Sequence, residues 1–444
     1  MSLGTVLRVG IACLLAALLV DGWLLSGLFR PVIVASGSMA PALRGPHCAW
    51  TCAGCGAEFF CGHESLPPAG RAAVCPYCRA DNDPALGVDR PGDRVLVDRG
   101  TYVWRAPRRW EKVALRCPGA PGSWCVKRIV GLPGERVEIR NGDVWIDGRL
   151  APKDLVQLRD MAVLVYQPAQ KTNQASKQQS GWTDPRNAWR QHQGRWVHVV
   201  DSADDESNQT NLIGTADADT EPDDDVHWLQ YEHPPVAAAV PAFPDGALDD
   251  ESPYDQSELR SLNPVGDHLL RARVTLDNRG ELLIRARSRG DTFQVRLDLA
   301  TGAGTLSHNG QTASKFVAAL PQSRRPVAIA WMLADGRAQL RLDGRIAADT
   351  RFRPTPFGRL TSTPAHDSTP LAIGARRADV RLEQIAVYRD LYYTGPESAD
   401  RREYELGDDE YYVLGDNSPH SEDSRSWPRP AVGSNEIVGR VLHW

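Results

Sequence analysis

The sequence predicts a mostly β protein of several domains, and three observations carry that expectation. Apolar and polar residues alternate in short runs over 93–150 and again over 265–392, the period of half-buried strands. Turn residues punctuate those runs at Pro133-Gly134, Asn141-Gly142, Asp147-Gly148 and Asp335-Gly336, which is hairpin chemistry. A chain of 444 residues exceeds what one hydrophobic core ordinarily organises, so two or three domains are expected. The net charge of −5 excludes a general nucleic-acid binder, which would need a dominant basic face.

Val9 to Leu28 form an apolar run whose only charge is Asp21. As a helix rising ~1.5 Å per residue it would cross a ~30 Å hydrocarbon core. It therefore reads as a transmembrane anchor over 1–29 rather than a cleaved leader: Arg8 is a thin basic flank, and a cut after Val34-Ala35 would detach the anchor from the serine segment that follows. Asp21 is expected near the outer end of the span or facing water, because a central carboxylate costs a few kcal/mol.

Ser36-Gly37-Ser38-Met39 follows the run, and Val126-Lys127-Arg128 lies downstream. A protonated serine hydroxyl is a poor nucleophile, and a neutral lysine amine held dry beside it can remove that proton without a histidine. Ser38 and Lys127 are thus the candidate nucleophile and base.

Six cysteines crowd into 48–78. Cys52-x-x-Cys55 and Cys75-x-x-Cys78 stand nineteen residues apart, the spacing of two knuckles that offer four thiolates to one tetrahedral zinc. A disulfide framework is the alternative if the segment faces an oxidising compartment. Cys48, Cys61 and His63 are left over and read as a disulfide or free thiols with a neighbouring histidine. Further on, Cys117 and Cys125 flank a Pro/Gly loop that a disulfide between them would close.

From Lys153 to Asp267 the chain turns polar and irregular, with Gln-rich stretches and an acidic run from Asp201 to Asp225 that reads as a solvated loop. Trp182, Trp189, Trp196 and Trp228 are scattered through it. Alternation resumes at Leu269: Phe293, Val295, Leu297 and Leu299 face one way, and Gln294, Arg296 and Asp298 the other, the pattern of a β-sandwich.

Gly92-Asp93-Arg94-Val95-Leu96-Val97, Lys127-Arg128-Ile129-Val130-Gly131-Leu132-Pro133-Gly134-Glu135 and Gly415-Asp416-Asn417-Ser418-Pro419-His420-Ser421-Glu422-Asp423-Ser424-Arg425 complete a set with the Ser38 segment. In this set the chain resembles bacterial type I signal peptidase, the membrane-bound Ser/Lys protease that removes secretory signal peptides. The resemblance covers 1–46, 84–154 and 402–444. It implies an antiparallel catalytic β domain assembled from 30–46, 84–154 and 393–444, with three insertions: a zinc-ribbon-like one at 47–83, the irregular polar one at 155–264 and a jelly roll at 265–392. The series Leu340-Arg341-Leu342-Asp343-Gly344, Leu371-Ala372-Ile373-Gly374 and Ile385-Ala386-Val387-Tyr388 resembles laminin-G-like, concanavalin-type jelly rolls, which serve sugar binding, protein binding or spacing.

Carried over residue by residue, the resemblance makes Ser38 the nucleophile and Lys127 the general base, with an acyl-enzyme on Ser38 as the intermediate. The Ser38 N–H and the Ser36 hydroxyl become the oxyanion donors. Ser421 orients the lysine, Asp423 and Arg425 form a supporting ion pair, and Asp416 and Asn417 shape their loop. Catalysis needs no cofactor, and the implied metal is a structural zinc on Cys52, Cys55, Cys75 and Cys78. Implied partners are signal-peptide-bearing precursors with small side chains at the first and third positions before the cut, membrane lipid, and a carbohydrate or protein ligand for the jelly roll. The implied location is the cytoplasmic membrane, single-pass, with the N-terminus cytoplasmic and the catalytic domain outside. The substrate would lie extended beside a strand, the one around Asp93–Val97 being the natural candidate. Two other readings stay open: a Ser/Lys protease that matures specialised surface-protein clients, and an inactive anchored surface-binding module. Because its ends must return to adjacent strands, the insertion 155–401 is expected to be dispensable for peptide cleavage.

Overall fold

The computed structural model describes residues 3–20, 22, 26–120, 122–168, 181–192, 194–200, 225–234, 247–257, 260–321, 325–355, 369–395 and 403–443. Asp21 and the acidic run from residue 201 to residue 224 lie outside them. Strands dominate. The elements around the site are, in chain order, α1 (Leu3–Leu19), β1 (Phe29–Ile33), β2 (His47–Thr51), β3 (Glu58–Gly62), β4 (Val88–Arg90), β5 (Arg94–Asp98), α2 (Thr101–Trp104), β6 (Lys112–Arg116), β7 (Trp124–Gly131), β8 (Glu410–Leu414), β9 (Ala431–Gly433) and β10 (Ile437–Leu442).

No helix among the described residues is long and apolar enough to cross a membrane. The expected span is represented by α1, whose 17 residues end before the Asp21 region.

The sheet that carries Ser38 and Lys127 has seven antiparallel strands in the order β1-β5-β10-β6-β7-β8-β9. Chain ends that are hundreds of residues apart therefore build one sheet: β10, from the C-terminus, sits between β5 and β6. Pro31, which has no N–H to donate, lies in the edge strand β1, where its missing donor is tolerated. The sheet curls until Arg30 of β1 stacks over the Trp124 ring at 4.7 Å. Val34, Met39, Leu43, Val95, Val97, Ala114 and Val441 fill the inside. β5 is paired along Arg94–Asp98 by β1 and at Leu96–Asp98 by β10, so it is an interior strand, against the expectation that a substrate would pair along Asp93–Val97.

The ribbon is a three-stranded sheet, β3-β2-β4, with a small hairpin, Ala73–Val74 against Asp81–Asn82. Its sheet is completed by β4, so the insertion runs to Arg90 rather than ending at residue 83.

The expected jelly roll is a sandwich of an eight-stranded and a seven-stranded sheet. Phe293, Val295 and Leu297 point into it from a strand that alternates buried and half-buried residues along its length. Asp335 and Gly336 turn with φ of 49° and 72°, the left-handed pair a tight hairpin needs. The stretch 155–264 is not merely irregular. Val163–Tyr166, Trp189–His192 and Arg195–His198 join one sheet, and Trp182–Thr183 and His227–Tyr231 join the other. Trp182, Trp189 and Trp196 are buried in the shared core, each worth a few kcal/mol of burial, which is why such short strands are held.

The sandwich is docked tightly on the domain built around the seven-stranded sheet that carries Ser38 and Lys127. Lys153 Nζ meets Asp335 at 2.9 Å and Asp390 at 2.8 Å, and Arg289 meets Asp143 at 2.8 Å. Leu391 and Tyr393, at the sandwich's exit, belong to the same buried cluster as Trp110, Val130, Val137 and Leu414 of the catalytic domain.

Candidate active site

Ser38 lies in a single 3-10 turn, Gly37–Met39, just past β1. The loop that follows β8 grips this turn from the other side. Asn417 N–H donates to the Ser38 carbonyl at 3.1 Å and Asn417 Nδ2 to the Gly37 carbonyl at 3.2 Å. The Ser36 hydroxyl donates to Ser38 Oγ at 3.4 Å, which sets it beside the candidate nucleophile.

Lys127 enters from β7. Its side chain is buried, and Nζ donates to Ser421 Oγ at 2.9 Å. Burial holds its pKa below the ordinary lysine value, against the pull of the Asp423 carboxylate; with little water available, the neutral amine is favoured. Gly415 brings the Ser38 turn close to Ser421, the lysine's partner. A Cβ on Gly415 would stand 2.1 Å from Ser421 Oγ and 2.5 Å from the Ser38 carbonyl oxygen, so only a glycine lets the lysine's partner and the nucleophile turn approach so closely.

Successive strand residues point to opposite faces, so Arg128 is directed away from Lys127. Its guanidinium is fully buried and reaches Asp416 through Nε at 2.7 Å and Nη2 at 2.5 Å. Nη1 adds the Trp110 carbonyl at 2.7 Å and Asp160 at 2.9 Å. One dipeptide thus supplies the candidate base and ties its strand to the loop that holds the nucleophile. Replacing Arg128 by alanine leaves Asp416 charged and buried without its partner, and should destabilise the domain by about 3–5 kcal/mol. A denaturation midpoint within experimental error of the parent protein's would refute that.

Asp423 and Arg425 form the expected pair, at 2.7 Å through Nη2 and 2.8 Å through Nε. Asp423 also accepts the Gly415 N–H at 2.9 Å, so the pair fixes the backbone that separates Ser38 from Ser421. Arg425 Nη1 continues to Ser418 Oγ at 2.5 Å and to Thr394 Oγ1 at 2.8 Å. Thr394 was not legible as a site residue, and neither was Tyr254. The Tyr254 ring backs the nucleophile turn: a Cβ on Gly37 would meet it at 2.8 Å. Its hydroxyl donates to the Gly45 carbonyl at 3.2 Å and its carbonyl accepts the Gly62 N–H at 3.0 Å. Next to it, Asp255 lies 3.6 Å from His420 Nε2.

A cleft of about 350 Å³ opens beside Ser38. One wall is Arg30 to Ser38, the other Ala114 and Trp124 to Val126. Cys125 in that wall and Cys117 are free thiols rather than the disulfide their spacing suggested.

Cys52, Cys55, Cys75 and Cys78 converge in the ribbon core, all buried, with their sulfurs within 4.8 Å of one another. Cys52 and Cys78 stand 3.5 Å apart, Cys55 and Cys75 3.8 Å. Thiolates at ~2.3 Å from a tetrahedral ion are about 3.8 Å from each other. All four are free thiols, and the set can hold a metal.

The family model described as signal peptidase, peptidase S26, matches residues 88–200 and 378–444. A probable signal peptidase I-2 of Synechocystis is 29% identical over 80 residues, 17% of this chain and 35% of that protein; the chain spans about a third of the length of this curated relative. Among solved structures, a carbohydrate-binding module of Bacillus subtilis covers 46% of this chain and 93% of its own, at 8% identity and a TM-score of 0.26. A protein of unknown function with a galectin-like fold, also from Bacillus subtilis, covers 52% and 98% at 10% identity and 0.29. A galectin of Caenorhabditis elegans covers 27% and 83% at 15% and 0.21. The two family-matched segments lie on either side of most of the sandwich, run into its first and last strands, and contain Lys127, Ser421, Asp423 and Arg425. Over these two segments the chain matches the signal peptidase family, peptidase S26.

Proposed function

We propose that the protein is a membrane-anchored serine endopeptidase that removes signal peptides from secreted precursors with Ser38 and Lys127. The observation that carries the reading is the buried Lys127 amine on Ser421 Oγ, one glycine away from the Ser38 turn. In this mechanism neutral Lys127 takes the proton from Ser38 Oγ as the oxygen attacks the scissile carbonyl. The Ser36 hydroxyl and the Ser38 N–H donate to the oxyanion, each worth ~3 kcal/mol in the transition state. Lys127 passes the proton to the leaving amine, and water then cleaves the acyl-enzyme on Ser38.

The cleft supports an extended substrate. β1 is a sheet edge, and β7 is paired with β8 only at Arg128, Ile129 and Gly131. The edges of β1 and of Trp124 to Lys127 are therefore open to a peptide strand. Val34, Ala35, Ala114 and Val126 along the walls suit small side chains before the cut.

Membrane attachment is part of the proposal. The side chains of Val6, Leu7, Ile11, Leu14, Leu15 and Leu18 on α1 are exposed, as on a helix that packs against lipid rather than protein. Val103 and Trp104 on α2 are 74% and 89% exposed, and the adjoining Arg99 donates to the Gly27 carbonyl, so an apolar pair with a tryptophan suited to a membrane interface sits beside the segment that leads into β1. We assign the domain to the outer side, and the four-cysteine set to a structural zinc that orders the ribbon.

The test is cleavage of a labelled precursor by the solubilised protein across pH. The active form carries a deprotonated lysine, so the rate should rise with pH, with a midpoint below the ~10.4 of a free lysine. A midpoint at that value would remove the case for Lys127 as the base, and no cleavage by a folded protein at any pH would refute the proposal.

A further inference from the structure

Cys48, His63 and Asp89 meet at the root of the ribbon, and the proteolytic reading uses none of them. Antiparallel register sets Cys48 of β2 directly opposite Asp89 of β4 on one side and Cys61 of β3 on the other. His63 starts the short turn His63–Ser65 at the end of β3. Three separate elements thus deliver a thiol, an imidazole and a carboxylate to one spot. The Cys48 thiol donates to Asp89 Oδ1 at 3.0 Å, and His63 Nε2 lies 3.2 Å from the same oxygen. The three donor atoms fall within 4.8 Å of one another.

These are the three donor types that zinc takes. Bonds of ~2.0–2.3 Å in a tetrahedral site hold such donors about 3.3–3.6 Å apart; the spacings at Asp89, 3.0 Å to Cys48 and 3.2 Å to His63, need only a few tenths of an ångström of adjustment, and Cys48 and His63 lie within 4.8 Å of each other. The site also differs from the four-cysteine cage in access: the side chains of His63 and Asp89 are 41% and 81% exposed, which leaves a fourth coordination position open to solvent.

We propose that Cys48, His63 and Asp89 bind a second divalent transition-metal ion of the zinc class, in an open three-ligand site separate from the closed cage. The location gives it a mechanical role. β2 leaves the catalytic domain just after Arg44, and β4 returns to it just before Asp93, where Asp93 N–H donates to the Arg44 carbonyl at 2.8 Å. An ion across Cys48 and Asp89 clasps the outgoing strand to the returning one, a few residues from the turn that carries Ser38.

The experiment loads the full-length solubilised protein, reduced and stripped of metal, with zinc and measures bound metal after gel filtration. About two equivalents are expected in the parent protein and about one in Cys48→Ser. If Cys48→Ser fails to fold, the double variant His63→Ala/Asp89→Asn, altered at exposed positions, carries the test and should also hold about one. Cobalt should fill the cage with strong thiolate-to-metal absorption, and a second equivalent should add a weaker band that disappears in the double variant. One equivalent in the parent protein, two in the double variant, or a Cys48–Cys61 disulfide found by mass in protein purified without reductant would each overturn the proposal.

Discussion

Lys127→Met leaves the protein folded and reduces precursor cleavage by about 10²–10⁴-fold or more, the contribution of a positioned general base. Ser38→Ala abolishes it, because no acyl-enzyme can form. Methionine matches the length of the lysine stem and suits a buried slot, so the loss reports proton transfer rather than packing. Lys127→Arg should be equally inactive, since a guanidinium keeps its proton at any accessible pH. Ser421→Ala should retain partial activity, because it orients the amine without taking the proton. Measurement of kcat on a fluorogenic peptide, with circular dichroism as the folding control, distinguishes these cases. Parent-level turnover in folded Lys127→Met would eliminate the Ser/Lys mechanism.

The site was readable from the sequence to the extent that its chemistry sits in short segments. Ser38 and Lys127 stand in short runs that suggest a nucleophile and a base, Ser421, Asp423 and Arg425 are assigned roles only by the resemblance, and the fold brings Lys127 onto Ser421 and Asp423 onto Arg425. Arg128 was visible only as the residue after the lysine. Strand alternation places it on the opposite face, yet nothing local says that its partner is Asp416, 288 residues away. Tyr254 gave no signal at all: it comes from a polar stretch with no periodicity, and its role exists only through the turn it supports. The strands of 163–231 were missed for a related reason. Runs of two to five residues are too short for alternation to register, and the tryptophans that hold them need the other sheet to be buried. The mistake over β5 was topological. Its own sequence says strand, but only the pairing of β1 and β10 on either side says that it is not an edge.

Deletion of 160–398, bridged by a short Gly/Ser linker, should destroy peptide cleavage as well as precursor cleavage, contrary to the modular expectation. Loop-closure entropy does permit a large insertion between adjacent strands, but this one is not a closed unit at its ends. The deletion removes Met161, Val163, Leu391 and Tyr393 from the catalytic domain's own buried cluster, at ~1.5–3 kcal/mol each. It also strips Asp160 from Arg128 and Lys112, Thr394 from Arg425 and Tyr254 from the nucleophile turn. Apolar burial alone then accounts for most of a domain's ~5–15 kcal/mol of stability, so the expected product is an unfolded or molten catalytic domain. A second variant separates folding from positioning. With 155–168 and 387–398 kept and only 169–386 replaced, the cluster and Thr394 survive while Tyr254 is lost. That protein should regain a cooperative unfolding transition yet cleave a short peptide well below the parent rate, because the turn carrying Ser38 has lost its backing. Tyr254→Ala in the intact chain should show the same deficit in kcat, with Tyr254→Phe close to the parent if the ring rather than the hydroxyl supports the turn. Parent-level peptide cleavage by a well-folded 160–398 deletion would mean that the sandwich is only an attachment, and the contacts at Gly37, Arg128 and Arg425 would then have no catalytic consequence.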